Sequence, residues 1–172
     1  MNFEEYRKYD ALGLAELVKT KQVQPSELLD LAIQRTETVN PKINAVVSKL
    51  YDLAKEQIKT VDTNAPFAGV PFLLKDLDAH LAGTRCTAGS GILKDYISKE
   101  TSETVQRAIK SGLIIFGKSN TPEFGVTPFT EGKLLGTAHN PWNLEHTTGG
   151  SSGGAGAAVA AGILPMAFAS DG

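Results

Sequence analysis

Short apolar runs alternate with helical patterns along this chain, and this alternation restricts the folds that the sequence can adopt. The segment Gly69–Leu77 (GVPFLLKDL) predicts one strand, and the continuous apolar run Leu113–Phe116 predicts another that is buried on both faces. Apolar residues at helical spacing precede and separate these runs, for example between Ser26 and Val39. Strands alternating with helices predict an α/β fold with a mostly parallel sheet flanked by helices.

Caps and breaker residues predict the other elements. Asn40-Pro41 is expected to end the helix that starts near Ser26. Ser102 is a suitable N-cap for a later helix, and Gly112 is a suitable residue after its C-terminus. The remaining predictions are a helix after Asp10, a strand over Ile43–Ser48, a helical pattern over Leu50–Ile58, a turn-rich segment over Asn120–Thr148, an alanine helix, and a strand over Ile163–Ser170.

Composition excludes several classes of protein. The 172 residues are enough for one domain with its own core, and the net charge of -2 provides no broad basic surface for nucleic acid or anionic lipid. No apolar run reaches the roughly 20 residues that span a bilayer. The lone Cys86 cannot form an internal disulfide, and the first residues contain no apolar export signal. We therefore expect a cytoplasmic protein that binds neither membrane nor nucleic acid.

The segment Thr147–Gly162 (TTGGSSGGAGAAVAAG) crowds glycines around two serines directly before the alanine helix. Exposed backbone N–H groups at such a turn can bind an anion, so a phosphate-binding loop is the first interpretation to test. A P-loop requires Lys-Ser or Lys-Thr after its last glycine, whereas Ala155 follows Gly154 here. A dinucleotide fingerprint requires a preceding strand, which the residues before Gly149 do not predict. Phosphate binding is therefore disfavoured.

The same serines match the G-x-S-x-G pattern of nucleophilic serines twice. All three histidines precede the serines and only Asp171 follows them, so a Ser-His-Asp triad would need an unfamiliar chain order. Lys75 is the best alternative base, because it ends an apolar run in which burial would lower its pKa. From residue types alone, an equally good interpretation is that Lys75 ends a strand and pairs with Asp76.

Two further constellations are weaker. Asp76, Asp78 and His80 alternate and would share one face of a continuing strand, where they could ligate a metal ion. Glycine and threonine soon after them indicate a loop instead, so a solvated strand exit is the favoured interpretation. Glu123 and Glu131 lie among turn signals, and nothing in the sequence fixes their separation as an acid/base pair.

Several motifs together resemble the amidase signature family, over nearly the whole chain. The motifs are GVPFLLKDL at Gly69–Leu77, GKSNTPEFG at Gly117–Gly125, HNPWNLEHTTGGSSGGAGAAVAAG at His139–Gly162, and the closing ASDG. The pattern is most similar to the branch that includes 6-aminohexanoate cyclic dimer hydrolases. The resemblance implies the amidase-signature fold with a mostly parallel mixed sheet flanked by helices, no cofactor, and a Ser-cisSer-Lys triad in which Lys75 is the base. It also implies that Ser151 bridges Lys75 to the nucleophile and follows a cis peptide bond. Ser152 is expected to be structural, because its hydroxyl can bond local backbone groups of the glycine turn.

The chain departs from the family pattern at its end. In the family, the nucleophilic serine belongs to a D-x-G-G-S segment whose first residue matches Asp171, and this sequence stops at Gly172. We therefore expect an N-terminal fragment that lacks the nucleophile, with residues 1–60 as a helical lead-in and residues 61–172 as the start of the core. By the same resemblance, Ser170 supports the bridging serine and Gly172 is an oxyanion-hole residue. The fragment alone is expected to be inactive.

The functional expectation is a hydrolase that cleaves linear or cyclic small-molecule amides through an acyl-enzyme. Two alternatives stay open at this point. One is the glutamine-hydrolysing component of a tRNA-dependent amidotransferase, which the motifs do not separate from other family members. The other is a non-catalytic assembly or binding module, for example a homo-oligomer that covers an open sheet edge and apolar surface.

Overall fold

A computed structural model describes residues 1–171 of the chain. Its helices and strands follow one another in the order α/α/α/β/α/β/α/β, and a short hairpin and a last helix complete the fold. Among residues 1–171, no helix combines the length and apolar character needed to cross a membrane. The elements are α1 Phe3–Tyr6, α2 Ala11–Lys19, α3 Pro25–Ile43, β1 Val46–Lys49, α4 Tyr51–Ile58, β2 Pro71–Lys75, α5 Glu103–Lys110, β3 Ile114–Ser119, β4 His139–Asn140, β5 Asn143–Thr147 and α6 Gly153–Ala160; single 3-10 turns occupy Gly91–Leu93 and Glu123–Gly125.

The main sheet is mixed and has the strand order β1-β3-β2. Strands β2 and β3 are parallel, so that Lys75 and Ser119 are paired at their carboxyl ends, whereas β1 is antiparallel to β3. Every residue of β2 and β3 is buried, as expected for strands covered on both faces. The α/β class and the mixed, helix-flanked sheet predicted from the sequence are confirmed.

Hydrophobic clusters cover the two faces of the sheet. Successive residues of a strand point to opposite faces, so Phe72 and Leu74 belong to one cluster and Leu73 to the other. Helix α2 contributes Leu14 and Val18 to the first cluster. Helix α6 contributes Ala157 and Ala158 to the second, where small side chains let the helix lie close to the sheet. The alanine-rich sequence of α6 is therefore part of the core that places the adjoining glycine turn.

Helix α3 is longer than predicted, because Asn40-Pro41 does not end it. The helix continues to Ile43, and Asn44 ends it in the left-handed conformation (φ 47°) with its N–H bonded to the Asn40 carbonyl oxygen at 2.8 Å. Pro41 lies in the last turn, where the missing N–H costs only one helical hydrogen bond. The Asn40 side chain also bonds both the N–H and the carbonyl of Val46 (2.8 and 2.9 Å), which closes the loop before β1.

Two other predictions need correction. The segment Ile163–Ser170 is not a strand in the described structure. It runs beside β2, with Phe168 N–H donating to the Leu73 carbonyl at 2.9 Å, but Pro165 has no N–H to contribute to a ladder. The turn-rich segment Asn120–Thr148 contains an antiparallel pair, β4 and β5, that the sequence analysis missed. All five residues of β5 are exposed, so the alternation of apolar and polar residues that signals a half-buried strand is weak there.

Candidate active site

Lys75 is the last residue of β2 and has no solvent-exposed surface. Its Nζ donates a hydrogen bond to Ser151 Oγ at 2.7 Å and another to Ser170 Oγ at 3.0 Å. The residue lies at the carboxyl edge of the parallel pair β2 and β3, the edge at which α/β proteins commonly build their sites. The expected proximity of Lys75 and Ser151 is present, although they are 76 positions apart in the chain.

Burial lowers the pKa of Lys75 below the ordinary lysine value, because the charged ammonium loses its hydration. The carboxylates of Asp78 and Asp171 oppose this shift and raise the pKa. The alternative pairing of Lys75 with Asp76 is not observed among residues 1–171. The Asp76 carboxylate instead accepts hydrogen bonds from the N–H and the hydroxyl of Thr87, the latter at 2.5 Å. Lys75 therefore combines burial, a lowered pKa and a serine partner.

Ser151 belongs to a tight turn formed by residues 149–153, which leads directly into α6. The peptide bond between Gly150 and Ser151 is cis, as the family resemblance implied. Gly150 packs on the backbone of Phe129, and a Cβ at this position would lie 2.8 Å from the Phe129 nitrogen. The Gly150 position therefore has no room for a side chain, which explains one of the glycines beside the serines.

Ser152 contacts Ser170 and not Lys75. Its Oγ accepts a hydrogen bond from Ser170 N–H at 3.2 Å and donates one to the Ser170 carbonyl oxygen at 3.1 Å. The structural role expected for Ser152 is thus directed to a segment 18 residues later rather than to the glycine turn itself. This pair of hydrogen bonds positions Ser170, whose own hydroxyl accepts from Lys75.

A cleft of about 530 Å³ opens in front of Ser151 and Ser170. Leu77, Phe124 and Val126 form an apolar wall, and Asp78 and Asp171 add carboxylates. Phe124 and Val126 are partly or largely exposed in this wall, at 48% and 78% of their full surface. The arrangement gives a small molecule an apolar contact surface next to the hydroxyl groups.

The residues weighed for a metal site do not converge. Asp76 bonds to Thr87, Asp78 lines the cleft, and the Nδ1 atom of His80 lies 3.1 Å from Ser98 Oγ. Strand β2 ends at Lys75, so the continuing strand that would have aligned these three side chains does not form. Within the part of the chain that the structure describes, no group of three acidic, histidine or cysteine side chains could hold a metal ion.

The remaining predicted residues lie in different places. Glu123 accepts a hydrogen bond from Ser90 Oγ at 2.6 Å, and Glu131 is exposed, so the two do not form a pair facing the cleft. Gly172, expected in the oxyanion hole, lies outside the described residues. The sequence analysis missed Thr130, which hydrogen-bonds to both ends of the glycine turn. An isolated threonine in a turn-rich segment carries no pattern by which it could have been found.

Comparisons with known proteins show which proteins the chain resembles. Residues 27–172 match the family described as Amidase. The chain is 44% identical over 168 residues to the lipoamidase of Enterococcus faecalis, covering 97% of this chain and 23% of the relative. It is 39% identical over 170 residues to a glutamyl-tRNA(Gln) amidotransferase component of Deinococcus deserti, covering 95% of this chain and 34% of the relative.

A solved structure of 6-aminohexanoate cyclic dimer hydrolase complexed with substrate superimposes with a TM-score of 0.89 at 42% identity. The alignment covers 92% of this chain and 33% of the hydrolase. The chain therefore spans about a third or less of the length of the relatives named here.

Proposed function

We propose that this chain, which belongs to the amidase family, supplies the base and the bridging serine of an enzyme that hydrolyses amide carbon–nitrogen bonds. The observation that carries the proposal is the 2.7 Å hydrogen bond between the buried Lys75 Nζ and Ser151 Oγ. A lysine whose charged form is disfavoured by burial can accept a proton, and the serine gives it a route to a second hydroxyl.

In the proposed mechanism, neutral Lys75 accepts the proton of Ser151 while Ser151 accepts the proton of the attacking hydroxyl. The attacking group is a serine of the D-x-G-G-S segment that, by family resemblance, begins at Asp171. The oxygen of this attacking serine, and not that of Ser151, forms a bond to the amide carbon. The carbon–nitrogen bond then breaks as the proton returns from Lys75 through Ser151 to the leaving amine. Water then attacks the carbonyl carbon of the acyl-enzyme while its proton passes through Ser151 to Lys75. The ester bond to the nucleophilic serine breaks as the proton returns to that serine, so one lysine serves both half-reactions.

The proposed substrate is a small linear or cyclic amide. The apolar wall formed by Leu77, Phe124 and Val126 suits the hydrocarbon part of such a molecule, and Ser151 and Ser170 line the same cleft. The second candidate is glutamine hydrolysis in a tRNA-dependent amidotransferase, which the 39% identity to a component of such an enzyme supports. Ammonia release from glutamine, measured beside the cleavage of 6-aminohexanoate cyclic dimer, separates the two candidates.

The test uses a protein in which this chain continues through the D-x-G-G-S segment to the length of its relatives, called the full-length protein below, and its variants Lys75→Met and Lys118→Met. Lys118 is the matched control, since it is also fully buried and lies on the neighbouring strand β3, but its Nζ donates to the Arg85 carbonyl oxygen at 2.6 Å. We expect Lys75→Met to lower kcat by at least about 100-fold, the loss usual for a missing general base. Lys118→Met should retain the kcat of the wild type when the rate is divided by the concentration of folded protein. Equal rates in the Lys75 variant and the wild type would overturn the proposal.

A second test concerns residues 1–172 alone. We propose that they do not hydrolyse amides, because the nucleophile of the proposed mechanism is not among them. A fluorophosphonate that labels nucleophilic serines should label the full-length protein and leave residues 1–172 unlabelled. Covalent labelling of Ser151 or Ser152 would show that one of them attacks the substrate and would contradict the bridging role.

A further inference from the structure

Thr130 contacts both ends of the turn that carries Ser151. Its side chain is buried, and its Oγ1 donates a hydrogen bond to the Gly149 carbonyl oxygen at 2.9 Å. The same oxygen accepts a hydrogen bond from Gly153 N–H at 3.1 Å. Gly149 and Gly153 each lie two residues from Ser151, on opposite sides. One hydroxyl group thus connects the start of the turn to its end.

The Gly153 N–H is one of the free donors at the start of α6. The side chain of the N-cap residue usually accepts from the second or third N–H of a helix, so the first N–H needs another partner. Here the N-cap residue is Ser152, and it makes no capping hydrogen bond because its hydroxyl contacts Ser170. Thr130, from a distant part of the chain, satisfies the first N–H of α6, and the Asn120 carbonyl oxygen accepts a hydrogen bond from the second, Gly154 N–H, at 3.2 Å. The hydroxyl of Ser152 is therefore not needed at the start of the helix and can position Ser170.

Steric contacts leave the turn little freedom to move relative to Thr130. A Cβ added to Gly153 would clash with the hydroxyl of Thr130, and a Cβ added to Gly150 would lie 2.8 Å from the nitrogen of Phe129. The Thr130 backbone is itself held, because its carbonyl oxygen accepts a hydrogen bond from Ala138 N–H at 2.9 Å. Segment 129–130 is therefore a fixed support on which the turn lies.

We propose that Thr130 is a positioning residue that holds Ser151 Oγ at hydrogen-bonding distance from Lys75 Nζ; this inference rests on the proposed function. Proton transfer through Ser151 requires its oxygen to face the lysine and the attacking hydroxyl at once, so small displacements reduce the rate. Thr130 itself does not line the substrate cleft, and the hydrogen bonds of Lys75 go to Ser151 and Ser170. Its loss should lower kcat and leave KM nearly unchanged.

The test compares Thr130→Val, which replaces the hydroxyl with a methyl group of similar size, with Thr130→Ser, which keeps the hydroxyl. In the full-length protein we expect Thr130→Val to lower kcat by about 10- to 100-fold with KM within about threefold, the scale of loss that a small misplacement causes. Thr130→Ser should restore kcat to within about threefold of wild type. Thr36→Val is the matched control, because Thr36 is also a buried threonine, with its hydroxyl bonded to the Ala32 carbonyl oxygen in α3.

A crystal structure of Thr130→Val gives a readout that is independent of turnover. We expect Ser151 Oγ to leave hydrogen-bonding distance of Lys75 Nζ or to occupy several conformations, whereas the Thr36→Val protein keeps the 2.7 Å contact. If Thr130→Val does not fold, Thr130→Ala takes its place in both measurements. Unchanged kcat and an unmoved Ser151 would overturn the inference, as would an equal loss in Thr130→Ser. A loss of activity in Thr130→Val while Lys75→Met stays active would refute the proposed function rather than the role of Thr130 in holding the turn.

Discussion

One hydroxyl group, Ser152 Oγ, hydrogen-bonds both backbone groups of Ser170, at 3.2 Å to the nitrogen and 3.1 Å to the carbonyl oxygen. This contact ties the last described segment of the chain to the turn before α6. Ser170 Oγ in turn accepts a hydrogen bond from Lys75. The two adjacent serines of the turn are therefore connected to the lysine in different ways. Ser151 contacts it directly, and Ser152 acts through the position of Ser170.

Ser152→Ala should lower stability more clearly than it lowers activity. The substitution removes two hydrogen bonds and leaves the Ser170 backbone groups without these partners, so we expect a loss of about 1–3 kcal/mol in the free energy of unfolding. Activity should remain well above that of Ser151→Ala, because the direct contact of Lys75 with Ser151 is kept. Urea denaturation and kcat measurements on both variants test this. A Ser152→Ala protein as inactive as Ser151→Ala would place Ser152 in the proton path.

The stability of Lys75→Met relative to wild type should depend on pH. Burial lowers the pKa of folded Lys75 below its unfolded value of 10.5, so between these two values the unfolded chain binds more protons and wild-type stability rises with pH. Methionine has no such dependence. The free energy of unfolding of the variant, measured relative to that of the wild type, should therefore be highest near neutral pH. This difference should decrease as the pH approaches 10.5.

The same comparison can be repeated with Lys118→Met. The pKa of Lys118 is also lowered, and burial is again the main cause. Chemical denaturation at neutral and at alkaline pH measures both differences. A stability difference between Lys75→Met and wild type that does not change with pH would show that Lys75 has the same pKa in the folded and unfolded states.

Asp78→Asn should shift the pH at which kcat/KM rises to a lower value. If Lys75 must be neutral to act, kcat/KM rises with pH through the Lys75 pKa. The Asp78 carboxylate raises that pKa, so its removal should lower the pKa and shift the rise in kcat/KM to lower pH. Glu131→Gln, which changes an exposed carboxylate, is the control. A shift of the Asp78→Asn profile to higher pH would contradict the assignment of this rise to Lys75.

Much of the fold was predictable because local signals and burial agree. Helix α5 lies directly after Ser102 and strand β3 starts within the predicted apolar run, as the cap and the run indicated. Strand β3 nevertheless continues to Ser119, beyond its last apolar residue. A charged side chain normally marks the end of a buried strand, because burying it without a partner is unfavourable. Lys118 can be buried here because its Nζ donates a hydrogen bond to the Arg85 carbonyl oxygen at 2.6 Å. Such a distant partner leaves no signal in the sequence.

The site could be predicted only in part, because some of its contacts join residues that are distant in the chain. Lys75 and Ser151 were candidates because an apolar run and a glycine turn surround them, and family resemblance connected them. The contacts of Thr130 with Gly149 and Gly153 depend on how a loop folds back over 19–23 residues. Local sequence patterns describe neighbours along the chain, and they do not specify which loop covers a turn. Supporting residues of this kind therefore become visible only in the structure.

Replacing either of two glycines of α6 with alanine should change the stability of the protein, but in opposite directions. A Cβ at Gly154 would clash with the backbone nitrogen of Asn120 and lie 2.8 Å from its Cα, whereas a Cβ at Gly156 would meet nothing within 4 Å. Asn120 cannot easily move away, because its N–H donates to the Ala45 carbonyl oxygen at 2.8 Å and its own carbonyl accepts from Gly154 N–H. Gly154→Ala should therefore cost about 1–3 kcal/mol, the usual penalty of overpacking.

Gly156→Ala should stabilise the protein by about 0.5–1 kcal/mol, since alanine favours the helix more than glycine does. Because both positions lie on the same helix, two residues apart, the difference between the variants isolates the contact with Asn120. Gly154→Ala should also reduce kcat, because any displacement of the start of α6 moves the turn that holds Ser151. Thermal unfolding and activity of the two variants test both effects, and equal stabilities would show that α6 does not pack against Asn120 as described.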